Sequence, residues 1–276
     1  MGAKKFIFEV RDLWPLTPIN LMGYSKNNFV IRIIDWFETY AYRKADAIVS
    51  LLQEAEKYIN FKSRDSSKFF YIPNGIDSNL IQNRLEIKRE DLNIPTDHLI
   101  IGYAGTIGFA NAMDSFFELI AESEDLRSKV FFVIIGDGYL KNQYQANVSS
   151  CNNVLFLPKV KKTEIGSYID LFDVCFIAWH DSPLYNYGVS ANKYFDYMAG
   201  AKPILAAQSG INDPVIKAKN GVIVKNTKKE IYYGVKQFLE MNDSKRRELG
   251  KRGFDYLLEN HVYSKLGAEY IRIINK

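Results

Sequence analysis

Leu99-Ile100-Ile101-Gly102-Tyr103-Ala104-Gly105-Thr106-Ile107-Gly108 is the stretch that decides the fold class of this chain. Six mostly apolar residues, short for a helix, run straight into a glycine-rich turn. The arrangement returns at Val130-Phe131-Phe132-Val133-Ile134-Ile135, followed by Gly136-Asp137-Gly138. Strands that are apolar on both sides, each leading through a turn into a helical stretch, mark a parallel sheet covered on both faces. The fold class is therefore α/β.

Working outward, strands are expected at residues 5–10, 47–51, 69–72, 99–104, 130–135, 154–157, 174–177, 203–206 and 221–224. From residue 99 onward, six strands suffice for a Rossmann-like parallel sheet domain, closed by helical stretches at 228–241 and 244–259. Ahead of Pro73 there are only three strands, a poor core by themselves. Between Pro73 and Pro95 the strand rhythm stops, with Asn74-Gly75 reading as a turn and residues 88–93 as a polar linker or short helix. The expected division is a partial amino-terminal domain at 1–77 and a Rossmann-like domain at 78–276.

Composition narrows the class. The 276 residues are 47% hydrophobic and 25% charged, enough apolar material for a globular core and far from a disordered composition. Lys plus Arg number 36 against 32 Asp plus Glu, a net +4 with both signs scattered, which gives nucleic-acid binding little support. Cys151 and Cys175 lie among apolar residues without metal-ligand spacing, as reduced core thiols of a cytoplasmic protein would. Behind the basic start, residues 1–5, the apolar run Phe6-Ile7-Phe8 is too short for a signal peptide. The longest apolar run elsewhere, 130–135, is far below the roughly 20 residues of a membrane-spanning helix. Residues 28–41 place Phe29, Val30, Ile33, Ile34, Phe37 and Ala41 at helical spacing near Arg32, Arg43 and Lys44. That apolar face is expected to pack on its own domain, with a peripheral membrane contact as the alternative.

In an open parallel sheet, ligands bind beyond the carboxyl ends of the strands. Gly105 and Thr106 follow one strand, ahead of a helix expected near Asn111, and can turn backbone N–H groups and a hydroxyl toward an anion. Gly136-Asp137-Gly138 follows another and allows close backbone approach, though a plain strand-to-helix turn reads equally well. Neither stretch completes Gly-x-Gly-x-x-Gly, and the P-loop pattern is absent. The densest candidate is Gly188-Val189-Ser190-Ala191-Asn192-Lys193-Tyr194-Phe195-Asp196, which follows a strand and opens a helix. Backbone N–H groups at Gly188, Val189 and Ser190 suit a phosphate. Lys193 opposes the helix dipole unless an anion lies between them, and Asp196 can accept hydrogen bonds from ribose hydroxyls. Taken singly, Lys193 and Asp196 read as ordinary helix charges.

Several further segments share an order and spacing with these: Pro73-Asn74-Gly75-Ile76-Asp77, Asn153-Val154-Leu155-Phe156-Leu157-Pro158 and Ala201-Lys202-Pro203-Ile204. Together they resemble the carboxyl-terminal half of a GT-B fold glycosyltransferase of family 4, as found in bacterial surface-polysaccharide synthesis. Val10-Arg11-Asp12-Leu13-Trp14-Pro15 is similar to a segment of a subgroup that transfers N-acetylated amino sugars. The resemblance implies a retaining transfer from a nucleotide-sugar, UDP-linked, to a lipid-linked saccharide acceptor at the inner face of a membrane, without a cofactor.

Carried over by residue, the resemblance implies that Pro158 and Lys159 meet the base and that Gly105 and Thr106 lie beside the diphosphate, with Gly136 a further donor-binding candidate. Gly188, Val189, Ser190, Asn192 and Lys193 would hold the diphosphate and sugar, and Asp196 the ribose. The family's phosphate-neutralising Arg and Lys are replaced by Thr106 and Asn111, so Lys193 is expected to take the cationic role. Arg11 and Asp12, at the end of the first strand, complete the expected catalytic group with Lys193; a surface Arg11 paired to Asp12 is the plain alternative. No metal is expected, since Asp-x-Asp is absent and His98, His180 and His261 lack ligand spacing. Family members carry a longer amino-terminal domain. This makes a nucleotide-binding fragment, or half of a split enzyme completed by an upstream-encoded partner chain, the rival expectation. A nicotinamide-dependent oxidoreductase is disfavoured by the missing glycine pattern.

Overall fold

The computed structural model describes residues 5–82, 84–210 and 213–276; the basic start, residues 1–5, lies outside them except for Lys5. The strands are β1 Ile7–Val10, β2 Ala47–Ser50, β3 Phe69–Tyr71, β4 Leu99–Ala104, β5 Val130–Ile135, β6 Val154–Leu157, β7 Val174–Ala178, β8 Ile204–Ala207 and β9 Gly221–Val224. All nine coincide with the expected stretches to within a residue or two. They form two parallel sheets, one ordered β1-β2-β3 and the other β6-β5-β4-β7-β8-β9. The fold is α/β with a Rossmann-like parallel sheet.

In the larger sheet, β4, β5, β7 and β8 are buried along their whole length. Helices on both sides explain this. On one face α5 (Asp114–Glu122) and α10 (Lys228–Glu240) enclose Tyr103, Phe116, Phe117, Phe132 and Phe176, with Phe116 and Phe176 stacked at 3.9 Å between centroids. On the other, α8 (Asn192–Ala199) and α11 (Asp243–Asn260) cover Ile100, Val133 and Cys175. Each fully buried aromatic contributes on the order of 1.5–3 kcal/mol. Gly102 is a glycine for packing reasons, because a Cβ there would lie 2.1 Å from the Phe172 ring.

The smaller sheet is covered by α1 (Leu16–Met22), α2 (Phe29–Lys44) and α3 (Glu56–Ser63) on one face. On the other lies α12 (Tyr263–Asn275), whose Leu266, Tyr270 and Ile273 cover Ile7, Val49 and Ile72. This helix was not expected from the sequence, and it takes the end of the 78–276 segment back onto the first sheet. The crossing is tied by Ile76 N–H to His261 O at 2.8 Å and Tyr263 N–H to Ile76 O at 3.1 Å. Gly75 permits that approach, since a Cβ would meet His261 O at 2.2 Å.

The α2 expectation needs correction. Phe29, Trp36 and Phe37 are 75%, 61% and 59% exposed, and Val30 and Ile33 are exposed too, so the apolar face does not pack on its own domain. The inward stripe is Ile31, Glu38 and Tyr42. Its centre is a buried carboxylate: Glu38 accepts from the Tyr42 and Tyr58 hydroxyls at 2.8 Å each and pairs with Lys62. A helical pattern read from apolar residues alone counts that Glu on the wrong face.

The remaining helices are α4 (Asn79–Gln82), α6 (Lys141–Asn147), α7 (Ile165–Ile169) and α9 (Pro214–Ala218). No helix among the described residues is long and apolar enough to cross a membrane.

Candidate functional site

The carboxyl ends of β4, β5 and β6 meet at a cavity of about 640 Å3. Gly105 and Thr106 line it from β4, Gly136 from β5, Lys159 and Lys162 from the loop after β6, and Asp196 from α8. Six residues far apart in the chain are thus gathered where an open α/β sheet places its ligand.

The two glycine turns fit backbone to backbone. Gly105 N–H donates to Ile135 O at 2.9 Å and Ile107 N–H to Asp137 O at 2.8 Å, prolonging the β4–β5 ladder past the strands. A Cβ at Gly136 would lie 1.9 Å from Gly105 O, and one at Gly138 2.0 Å from Ile107 O, and both residues have positive φ. The glycines therefore serve the approach of one turn to the other. Of the N–H groups that the expectation offers to an anion, those of Gly105 and Gly136 are bonded, while those of Thr106 and Asp137, both lining the cavity, have no partner among the described residues. The helix expected near Asn111 begins at Asp114 instead, after a short turn over Phe109–Asn111.

Lysines surround the two turns, and of them Lys159 and Lys162 line the cavity while Lys193 and Lys141 do not. Lys193 runs back from α8 beneath the β4 turn, where Nζ donates to the Tyr103 hydroxyl at 2.9 Å and to Asn111 Oδ1. The Tyr103 hydroxyl in turn donates to Thr106 O at 2.6 Å. Gly105 makes room for this side chain, as a Cβ there would sit 3.0 Å from its Cε. With neutral partners and no carboxylate to offset desolvation, burial lowers the Lys193 ammonium to about 7. Lys141 adds a second cation, donating to Gly136 O at 2.8 Å. Lys162 adds a third, paired with Asp196. Asp196 is largely buried, and desolvation raises its pKa against the pull of Lys162.

The segment 188–191 lies elsewhere. Gly188, Val189 and Ser190 line a second cavity, about 230 Å3, shared with Arg11 and Asp12 from the end of β1. Gly188 N–H donates to Tyr185 O at 3.1 Å and so is not free. Ser190 is clamped to the crossing between sheets: its Oγ accepts from Asn74 N–H at 3.1 Å and its carbonyl from the Asn74 amide. Arg11 and Asp12 form no ion pair with each other among the described residues. The expected single donor set thus divides into two cavities. Pro158 begins the loop whose Lys159 lines the first, and Asn192 lines neither and is exposed.

Tyr103, Lys141 and Lys162 escaped sequence reasoning. Lys162 ends the basic run Lys159-Val160-Lys161-Lys162 and Lys141 opens the helix after the second glycine turn, signals that were available; Tyr103 reads only as a core residue. The histidines have local partners. His261 Nδ1 is 2.9 Å from Asn74 O, His180 Nε2 is 2.6 Å from Phe109 O, and His98 pairs with Asp97.

The family model for glycosyl transferases group 1 matches residues 85–255, more than half of the chain. A Pseudomonas aeruginosa protein named probable glycosyltransferase WbjE is 23% identical over 209 residues, 73% of this chain and 50% of that protein. The chain thus spans half the length of that relative. Two solved structures share the fold. Sucrose-phosphate synthase of Thermosynechococcus elongatus superposes with a TM-score of 0.78 at 13% identity, over 100% of this chain and 68% of its own. HepE of Anabaena, solved with UDP and glucose, superposes at 0.74 and 14% identity, over 98% and 71%.

Proposed function

The chain belongs to the glycosyl transferases group 1, and from that premise we propose that it transfers a sugar from a nucleoside diphosphate donor to a saccharide acceptor. The carrying observation is the 640 Å3 cavity at the ends of β4, β5 and β6, with Lys193 held by Tyr103 and Asn111 against the Gly105 turn that lines it. In this reading Lys159 and Pro158 face the base, Asp196 with Lys162 the ribose, and Gly105, Thr106 and Lys193 the diphosphate. The UDP bound to HepE supports a uridine nucleotide.

Cleaving the bond from the anomeric carbon to the phosphate oxygen leaves negative charge on the departing diphosphate. Cations fixed beside that oxygen stabilise the transition state more than the ground state. Lys193 is suited to this because its neutral hydrogen-bond partners hold it in place without cancelling its charge. Arg11 and Asp12 face the second cavity from the other sheet, where the acceptor would enter. A family 4 assignment, a retaining course, an N-acetylated amino sugar, a lipid-linked acceptor and a role in surface-polysaccharide synthesis complete the proposal, supported by the Arg11-Asp12-Leu13-Trp14-Pro15 segment. The exposed face of α2 supports contact with a membrane surface. No cofactor is required in this reading.

A second reading is favoured by the three-stranded first sheet and by the half-length match: a nucleotide-binding part that needs a partner chain to complete the acceptor side. Calorimetry with UDP tests nucleotide binding, and absence of heat would defeat both readings. Radiolabelled sugar transfer to a lipid-linked acceptor, by the chain alone and with an upstream-encoded partner, then separates them.

A further inference from the structure

The second cavity contains an aromatic corner that the transfer reading leaves unused. Trp179, just past β7, and Tyr185 lie with ring centroids 5.1 Å apart, inclined by 53°, and both line the cavity that Arg11 and Asp12 enter from the facing sheet. At about 230 Å3 it has roughly a third of the first cavity's volume and falls below the range of about 300–1,000 Å3 typical for whole drug-sized ligands. A single sugar ring fits such a space better than a nucleotide does.

The chemistry of the walls matches such a ring. Aromatic faces suit the apolar C–H face of a pyranose, and a carboxylate and a guanidinium free of protein hydrogen bonds suit its hydroxyls. Arg11 and Asp12 make no hydrogen bond or ion pair with another described residue. The indole is also locked in advance. Its Nε1–H donates to the Tyr194 hydroxyl at 2.7 Å, which donates to the buried Asp213 carboxylate; that carboxylate is fixed by Val215 N–H at 2.7 Å. A ring held by a buried relay needs no rotamer ordering when a ligand arrives.

We infer that Trp179 and Tyr185 are specificity-determining residues, the stacking wall for one pyranose ring whose hydroxyls Arg11 and Asp12 take. The inference rests on the sugar-transfer reading. The ring belongs either to the acceptor or to the donor's own sugar, and the experiment separates these sources. Methyl glycosides of glucose and N-acetylglucosamine, titrated by saturation-transfer NMR with and without UDP, report an acceptor-side ring. The affinity of UDP-sugars relative to UDP, by calorimetry, reports the donor's ring.

Trp179→Ala and Tyr185→Ala are expected to weaken one of these two signals about fivefold or more. UDP affinity stays as in the wild type, and Tyr185→Phe restores the signal. Unchanged signals in both alanine variants, or a wild type in which neither glycosides nor the sugar of UDP-sugars contribute, would overturn the inference. Wild-type UDP heat is read first, because its absence defeats the nucleotide reading and leaves the glycoside titration alone to decide on the aromatic wall. Should Trp179→Ala not fold, the Tyr185→Ala and Tyr185→Phe pair carries the test.

Discussion

Lys193 Nζ lies 2.9 Å from the Tyr103 hydroxyl, and that hydroxyl bonds onward to the Thr106 carbonyl, so the buried amine and the turn above it form one unit. The folded chain holds the Lys193 proton only below about pH 7, whereas the unfolded chain holds it up to about 10.5. The folding penalty from this residue is therefore fully present below pH 7 and is relieved as pH rises toward 10.5. A bound diphosphate favours the charged amine, so nucleotide affinity should run the other way. It is greatest below pH 7 and falls by up to about tenfold per pH unit above it. Calorimetric titration of UDP from about pH 6.5 to 8.5 checks this, and a flat profile would contradict the role given to Lys193. Lys193→Met should raise thermal stability at about pH 6 while removing most of the nucleotide affinity.

Asp196→Asn keeps the size of the side chain but removes the charge opposite Lys162. Nucleotide affinity should drop by roughly tenfold to a hundredfold, the range for a charge-assisted hydrogen bond to a ribose hydroxyl. The loss should be smaller for a diphosphate without a nucleoside, and equal losses for UDP and pyrophosphate would refute the ribose assignment.

Gly136→Ala sets a methyl group against Gly105 O in a backbone conformation that L residues rarely adopt. Overpacking and strain of this kind cost about 1–3 kcal/mol. A fall in melting temperature of roughly 2–12 °C follows by the usual scaling for a domain of this size. Scanning calorimetry measures it, and a melting temperature within a degree or so of wild type would show that the two turns separate easily.

The exposed face of α2 offers a direct test of membrane contact. Trp36→Glu combined with Phe37→Glu changes two side chains that are mostly in solvent and pack little against the domain. Wild-type protein should co-sediment with vesicles rich in anionic lipid, and the double variant should remain in the supernatant with an unchanged melting temperature. Equal sedimentation of both would remove α2 from the membrane reading.

Legibility followed burial. The strands of the larger sheet were plain because residues such as Ile100, Val133 and Phe176 face helices on both sides, which leaves continuous apolar runs in the sequence. α2 misled because its inner stripe is built on Glu38, a charge that only the fold reveals to have two tyrosines and a lysine around it. α12 went unseen because its inward residues Leu266 and Ile273 are few and its partners lie some two hundred residues earlier in the chain. The site was half legible. Gly105, Gly136, Lys159 and Asp196 do share a cavity, but spacing along a chain cannot tell that Gly188 and Ser190 face a different one. Glycine turns also read alike whether their N–H groups await an anion or, as at Gly105, are bonded to the neighbouring loop.

The placement of α12 bears on how the protein is made. Ile7, Val49 and Ile72, near the beginning of the chain, are covered by Leu266, Tyr270 and Ile273, near its end. A ribosome adding about 5–20 residues per second exposes the first sheet's strands for on the order of tens of seconds before their cover is synthesised. During that interval the six-stranded sheet, whose parts are all contiguous, can already have closed. The first sheet is thus translated before the larger one and completed after it, and its uncovered apolar face is the surface on which a nascent-chain chaperone would be found.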